Sequence, residues 1–243
     1  MNNLGLHSLT LGPRLPFVRR RSSRWVLALR LAVERRLWQW RLSADDAVKR
    51  AFDVLFSGLV LVLIAPLLGT IALLIKLEDG GPVFFRQVRV GRYGREFIML
   101  KFRSMRPDAE ARLRELLAKN QHKTGVTFKI KNDPRVTRIG YWLRKFSLDE
   151  LPQFWNVFRG DMSVVGPRPP VPREVALYTL ADRRRLAVQP GITCLWQIGG
   201  RAQIDFHGQV ELDVRYIETR GFWSDLGIIA KTLPAVLSGT GAY

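Results

Sequence analysis

From Val54 to Ile75 the chain reads VLFSGLVLVLIAPLLGTIALLI, 22 positions without a charge. A helix of that length covers roughly 33 Å, about the depth of a bilayer core. A soluble helix that is apolar all round for six turns leaves no face for water, so a buried core helix fits poorly. A signal peptide fits no better, because the run starts deep in the chain and no small-residue cleavage site follows. Lys49 and Arg50 precede the run, and Lys76, Arg86, Arg89, Arg92 and Arg95 follow it. Basic flanks favour the cytoplasmic side, and here both ends carry them. Pro66, near the middle, removes a backbone donor and clashes with the preceding turn. These features predict a re-entrant helix-break-helix that enters one leaflet, turns at Ala65-Pro66 and returns. A kinked full span is the competing reading.

Upstream, Trp25, Leu29, Val33, Leu37 and Trp40 recur at three-to-four spacing with Arg30, Glu34 and Arg41 opposite, which predicts an amphipathic helix over 24–42. Its tryptophans and arginines suit a head-group interface or equally a face packed on the protein itself. Ser43, followed by Asp45 and Asp46, reads as the N-cap of the next helix. Downstream, residues 78–105 alternate between turn signals and short β-type runs and predict a hairpin with its turn at Gly91–Gly94. Helices are expected over 107–119, in two pieces over 133–158 with Pro152 in a first turn, and over 208–219 and 222–238.

Charge changes the picture next. The 243 residues carry a net charge of +18, of which residues 1–50 hold +8 as 11 Lys/Arg against 3 Asp/Glu. Such a chain seeks anionic company: nucleic acid, acidic lipid or a phosphorylated substrate. One cysteine, Cys194, excludes an internal disulfide, and three scattered histidines give no zinc-ligand spacing.

Against that basic background stand two adjacent acids, Asp149 and Glu150, in SLDELPQFWNVFRGDMSVVGPRP. Neighbouring residues on a helix point about 100° apart, so the two carboxylates should divide their labour. A buried acid pair must be solvated, neutralised by cations or engaged with a metal. Two surface acids pairing with Arg144 and Lys145 is the plain alternative. Arg144, Arg159 and Arg168 flank the pair, Arg168 within a proline-stiffened GPRPP, and Lys101 and Arg103 are two apart on a strand. Cations on rigid elements around an acid pair, next to a membrane segment, describe a phosphate site at a lipid surface, where oxygen-only ligation favours Mg2+. The fold class expected is α/β, mostly helical and monotopic: a re-entrant hairpin plus a compact cytosolic catalytic module with a small antiparallel sheet. Its parts are a basic arm with interfacial helix (1–47), a membrane helix broken at Pro66 (48–77) and a catalytic domain (78–243).

The runs KRAFDVLFSGLVLVLIAPLL, GPVFFRQVRVG, KFRSM, DPRVTRIGYWLRKFSLDELPQFWNVFRGDMSVVGPRP, PGIT and GTGAY, taken in order over residues 48–243, closely resemble the bacterial sugar transferases, the monotopic polyprenyl-phosphate hexose-1-phosphate transferases. The resemblance implies transfer of a sugar-1-phosphate from a UDP-sugar to undecaprenyl phosphate, with Mg2+ and release of UMP, at the cytoplasmic face of the bacterial inner membrane. It implies Asp149 as the nucleophile of a covalent phospho-sugar intermediate and Glu150 as its metal-associated partner. Arg144 and Arg168, with Lys101 or Arg103, match phosphate- and nucleotide-region residues, and Pro66 matches the helix-breaking proline. Partners so implied are UDP-glucose or UDP-galactose, undecaprenyl phosphate and membrane lipid, without nucleic acid; an oligomer is compatible with it. Two departures stand out: Ala65 where many members have serine, and Cys194 where many have glycine. The rival functions are a membrane glycosyltransferase that releases UDP, and a non-enzymatic basic module binding acidic lipid or nucleic acid.

Overall fold

The computed structural model describes residues 23–109, 133–199 and 204–237. By its contacts the chain divides into residues 1–44 and a compact unit of residues 45–243. Helix α1 runs Ser23–Asp79. No glycine or proline occurs between Arg24 and Ser57, so nothing stops the helix at Ser43, and the helix start expected there is absent. A capping residue begins a helix only where the preceding backbone leaves helical geometry. The helix also continues through Pro66. The ring costs the Val62 carbonyl its donor, while Thr70 Oγ1 donates to the Pro66 carbonyl at 3.0 Å. The expected break is therefore not a stretch of non-helical residues. Gly80, at φ +69°, ends the helix, with its N–H on Lys76 O at 3.0 Å.

After α1 comes the hairpin β1 (Phe84–Val90) and β2 (Glu96–Phe102), antiparallel, with Phe85 opposite Lys101 and Arg89 opposite Phe97. Residues 85, 87 and 89 thus share a face with 97, 99 and 101. Next among the described elements come α2 (Arg138–Lys145), a single 3₁₀ turn (Leu148–Glu150) and α3 (Gln153–Arg159). Strand β3 (Ser163–Val165) is followed by the short α4 (Pro172–Val175) and pairs in parallel with β4 (Gly191–Thr193). Helices α5 (Leu195–Gly199), α6 (Phe206–Thr219) and α7 (Phe222–Leu237) complete the described chain. The antiparallel hairpin was legible in sequence; the parallel pair, built from two three-residue strands, was not. The helix expected over 107–119 falls largely outside the described residues.

One core gathers Met99, Val157, Met162, Val164, Val165, Tyr216 and Ile228; a second joins Ile71 and Ile75 of α1 to Phe102 and Leu143. Buried polar groups fix the joints. Asn156 lends its side-chain amide to β2, accepting from Leu100 N at 2.9 Å and donating to Ile98 O at 2.7 Å. The free edge of β2 is thereby paired by α3, which sets Lys101 relative to the 3₁₀ turn. Asp53, buried just ahead of the apolar run, accepts from Val164 N at 3.1 Å and from Lys49 at 3.0 Å. Lys49 also pairs with Asp225 at 2.8 Å. Arg50 donates to the terminal carbonyls of α3, Val157 O at 2.6 Å and Phe158 O at 2.8 Å. At the other end of the run, Asp79 pairs with Arg103, and Glu78 accepts from the first amides of α2, Arg138 N and Ile139 N. Both ends of the apolar segment are thus tied to the same unit.

Gly166 and Gly191 meet where β3 and β4 pair, and a Cβ on either would overlap the other's backbone. Gly191→Ala is expected to force the two strands apart at the start of the Arg168 turn and to cost about 3 kcal/mol. Thermal unfolding in detergent would show it as a lowered Tm, whereas the same substitution at Gly69, with nothing within 4 Å, leaves Tm close to wild type.

Candidate active site

The chain leaves α2 through Ser147, whose left-handed φ of 54° is uncommon for a residue with a side chain. That conformation turns the backbone sharply, and the next three residues form the 3₁₀ turn that presents Asp149 and Glu150. At about three residues per turn their side chains diverge, and the surroundings treat them differently. Glu150 Oε1 accepts from Lys101 Nζ at 2.6 Å and from Arg168 at 3.2 Å. Lys101 Nζ stands 4.0 Å from Asp149 Oδ2, too far for a hydrogen bond. One acid anchors the cations, and its neighbour faces the cleft.

The cleft has a volume of about 590 Å³, within the range of small-molecule sites. Among the described residues, Arg89, Lys101, Arg144, Arg168, Arg173 and Arg185 line it against Asp149, Glu150 and Glu174, and with Arg185 paired to Asp213 the lining still carries an excess of positive charge. Burial pushes the Asp149 carboxyl up to about 6, with Lys101 opposing the rise and the Glu150 charge adding to it. Burial acts on Glu150 in the same sense, but Lys101 and Arg168 overcome it and hold that carboxyl down to about 2. Lys101 is pulled below its ordinary value by burial in spite of Glu150, while Arg168 is raised, chiefly by Glu150.

The structure brings together five of the residues singled out from sequence: Lys101, Arg144, Asp149, Glu150 and Arg168. It does not bring in Arg103. The strand ends at Phe102, so the two-residue alternation from Lys101 lapses, and the Arg103 guanidinium is buried against Asp79 and Gly81. Arg159 also lies elsewhere, exposed and 3.8 Å from Asp161, and Lys145 sits over the Trp142 ring at 5.0 Å.

The profile of the family described as bacterial sugar transferase matches residues 44–239. The chain belongs to the bacterial sugar transferase family. It is 51% identical over 198 residues to the galactosyl transferase CpsE of Streptococcus agalactiae, covering 81% of this chain and 42% of that protein. It is 44% identical to the exopolysaccharide production protein ExoY of Rhizobium meliloti, covering 80% and 88%. It is 43% identical to the undecaprenyl-phosphate galactose phosphotransferase of Salmonella typhimurium, covering 81% and 42%. The chain therefore spans under half the length of two of these relatives and most of the third.

The cleft also contains groups that sequence reasoning passed over. Arg89 and Gln87 were within reach of the β1 alternation, because the register puts them on the Lys101 face. Tyr178, Arg185 and Phe206 come from separate segments with no shared local pattern. At the sugar transferase's PGITC segment, Cys194 is buried and does not adopt positive φ, so glycine is not required there. Asp149 and Glu150 fit Mg2+, which takes one or two carboxylates and leaves its other positions to water and substrate phosphates. Both cations converge on Glu150 Oε1, leaving Oε2 and Asp149 as donors; among the described residues no cluster of three or more acidic, His or Cys ligands occurs.

A carboxyl held near 6 in the fold, against 3.8 ordinarily, keeps its proton longer when folded than when unfolded. Stability is therefore lost as pH rises from about 4 to about 6, and the loss is complete above that window. Asp149→Asn removes this burden. It is expected to raise stability at about pH 8 by about 3 kcal/mol, a gain that vanishes below about pH 4, as followed by thermal unfolding across pH.

Proposed function

We propose that the chain transfers a hexose-1-phosphate from a UDP-hexose to undecaprenyl phosphate by two displacements at Asp149. The observation that carries this reading is the division of the acid pair: Glu150 takes both neighbouring cations, and Asp149 is left as a buried carboxylate facing a cleft with excess positive charge. An Asp149 oxygen attacks the β-phosphorus of the donor. The bond from that phosphorus to the bridging oxygen breaks, and UMP leaves with the electron pair. A lipid phosphate oxygen then attacks the phospho-aspartate, regenerating the carboxylate and giving a lipid-linked pyrophosphoryl hexose. A carboxylate nucleophile needs no base, which suits a cleft with no histidine among its described lining residues. Lys101, Arg144 and Arg168 oppose the charge gathering on the phosphoryl oxygens. Mg2+, held by Asp149 and Glu150, would supply further neutralisation of the pyrophosphate. Galactose, named for two of the relatives above, and glucose are the sugars favoured.

The second substrate is a lipid, and α1 supports access to it from one side. Residues 45–79 are long and apolar enough to cross a membrane. Yet Arg50 and Asp53 before the run and Ile71, Ile75, Glu78 and Asp79 at its end all contact the same unit. A full crossing would have to separate ends that one body holds. These contacts, with the two basic flanks, favour a re-entrant helix bent at Pro66 whose ends both face the cytoplasm of the bacterial inner membrane. Exposed Trp142, Trp155 and Trp223 lie on helices beside it and suit the head-group level.

With UDP-galactose or UDP-glucose, undecaprenyl phosphate and Mg2+, the wild type is expected to release UMP, and mass spectrometry of quenched enzyme to find a hexose-phosphate adduct on Asp149. UDP release would refute the reading, as would lipid product formed without that adduct. The acid limb of kcat/KM should move to higher pH in Lys101→Gln, which removes the cation that lowers the Asp149 pKa. For topology, Val48→Cys and Leu77→Cys are exposed sites and native Cys194 is buried. Both engineered thiols should react only from the cytoplasmic side, and labelling from opposite sides would exclude the re-entrant helix.

A further inference from the structure

Arg168 is carried by Gly166-Pro167-Arg168-Pro169-Pro170, and three of those five residues have no backbone N–H. The segment is poor in donors of its own, so donors from other elements must fix it through its carbonyls. Gly191 N donates to Pro167 O at 2.9 Å and Val90 N to Pro170 O at 2.9 Å. Between them, the Arg89 guanidinium donates to Pro169 O at 2.7 Å. Of these three bonds, only that one comes from a side chain.

Arg89 is itself held in place. Gln87, on the same face of β1, accepts with Oε1 from Nε at 2.9 Å and from NH2 at 2.7 Å. Unlike Arg168, Arg89 makes no ion pair among the described residues. It lines the cleft beside Arg168, and burial together with that like charge pulls its pKa down to about 10. A cation so placed is costly unless it performs a task.

We propose that Arg89 is a positioning residue, which clamps the Pro169 carbonyl and thereby holds Arg168 toward the diphosphate of the substrate. This rests on the reading of the cleft as a nucleotide-sugar site. The planar fork of arginine can grip Pro169 O and Gln87 Oε1 together, and a lysine at position 89 keeps the charge without that geometry. A residue that works through Arg168 has no effect once the Arg168 side chain is gone, whereas a residue that binds substrate on its own does.

The test is a double-mutant cycle of Arg89→Lys and Arg168→Gln in full-length protein in lipid nanodiscs. Affinity for inorganic pyrophosphate is read by calorimetry, alongside KM and kcat for UMP release. Each single variant should lose about tenfold in pyrophosphate affinity, and the double variant should match Arg168→Gln within about twofold. Losses that multiply in the double variant overturn the proposal. So do an Arg89→Lys variant that binds like wild type and a wild type that does not bind pyrophosphate. Should Arg89→Lys fail to fold, Gln87→Leu replaces it in the cycle with the same non-additive pattern expected. Non-additive pyrophosphate binding without UMP release would keep the clamp and reject the sugar-phosphate transfer. UMP release with multiplying losses would do the reverse.

Discussion

Two cations on a single oxygen of Glu150 hold the walls of the cleft in order. Lys101 reaches it from the hairpin and Arg168 from the proline-rich turn, so three segments distant in sequence meet at one charge. Each of these groups is half-buried, and leaving any of them unpartnered would be costly. The pairing therefore acts as a geometric lock more than as a source of net stability. Its consequence is that Asp149, one residue away, keeps only a 4.0 Å charge contact with Lys101 and takes no hydrogen bond from it.

That spare carboxylate is where the fold gives up stability. Burial raises its pKa, and Ser147 in front of it adopts a left-handed backbone. Strain and desolvation concentrated beside a cleft with excess positive charge are features of a site made for an anion that arrives later. A diphosphate would satisfy the surplus cations and bring its reacting phosphorus up to the carboxylate. Family membership in the bacterial sugar transferases agrees with such a substrate, and the arrangement of charges supplies a physical reason for it.

The membrane segment belongs to the same construction. Asp53 and Arg50 bind the backbone of β3 and α3, and Asp79 and Glu78 secure the residue after β2 and the start of α2. The apolar helix is thereby fastened at both ends to the elements that carry Asp149, Glu150 and Lys101. A lipid substrate held against that helix would meet the site at a defined height, without a separate domain movement to bring the two together.

Local pattern was enough for some of this. The uncharged run at 54–75, the period-2 hairpin around Gly91–Gly94 and the last two helices are set by short-range periodicity and turn chemistry, so the sequence alone determined them. It also determined that two adjacent acids in a basic chain would part in role, because neighbouring positions on any helical turn diverge. What each acid would do was decided by tertiary structure: Lys101 lies 49 residues and Arg168 18 residues from Glu150. Arg103 shows the limit well, since its spacing from Lys101 suggested a shared face, but the strand stops at Phe102 and Asp79 claims the guanidinium. Ser43 shows it again, because a cap signal has no force where the preceding backbone is already helical. The parallel pairing of β3 with β4, and the Arg89 contact to Pro169 O, join residues with no sequence relation. Only the packed chain, which must find partners for carbonyls that prolines cannot serve, brings them together.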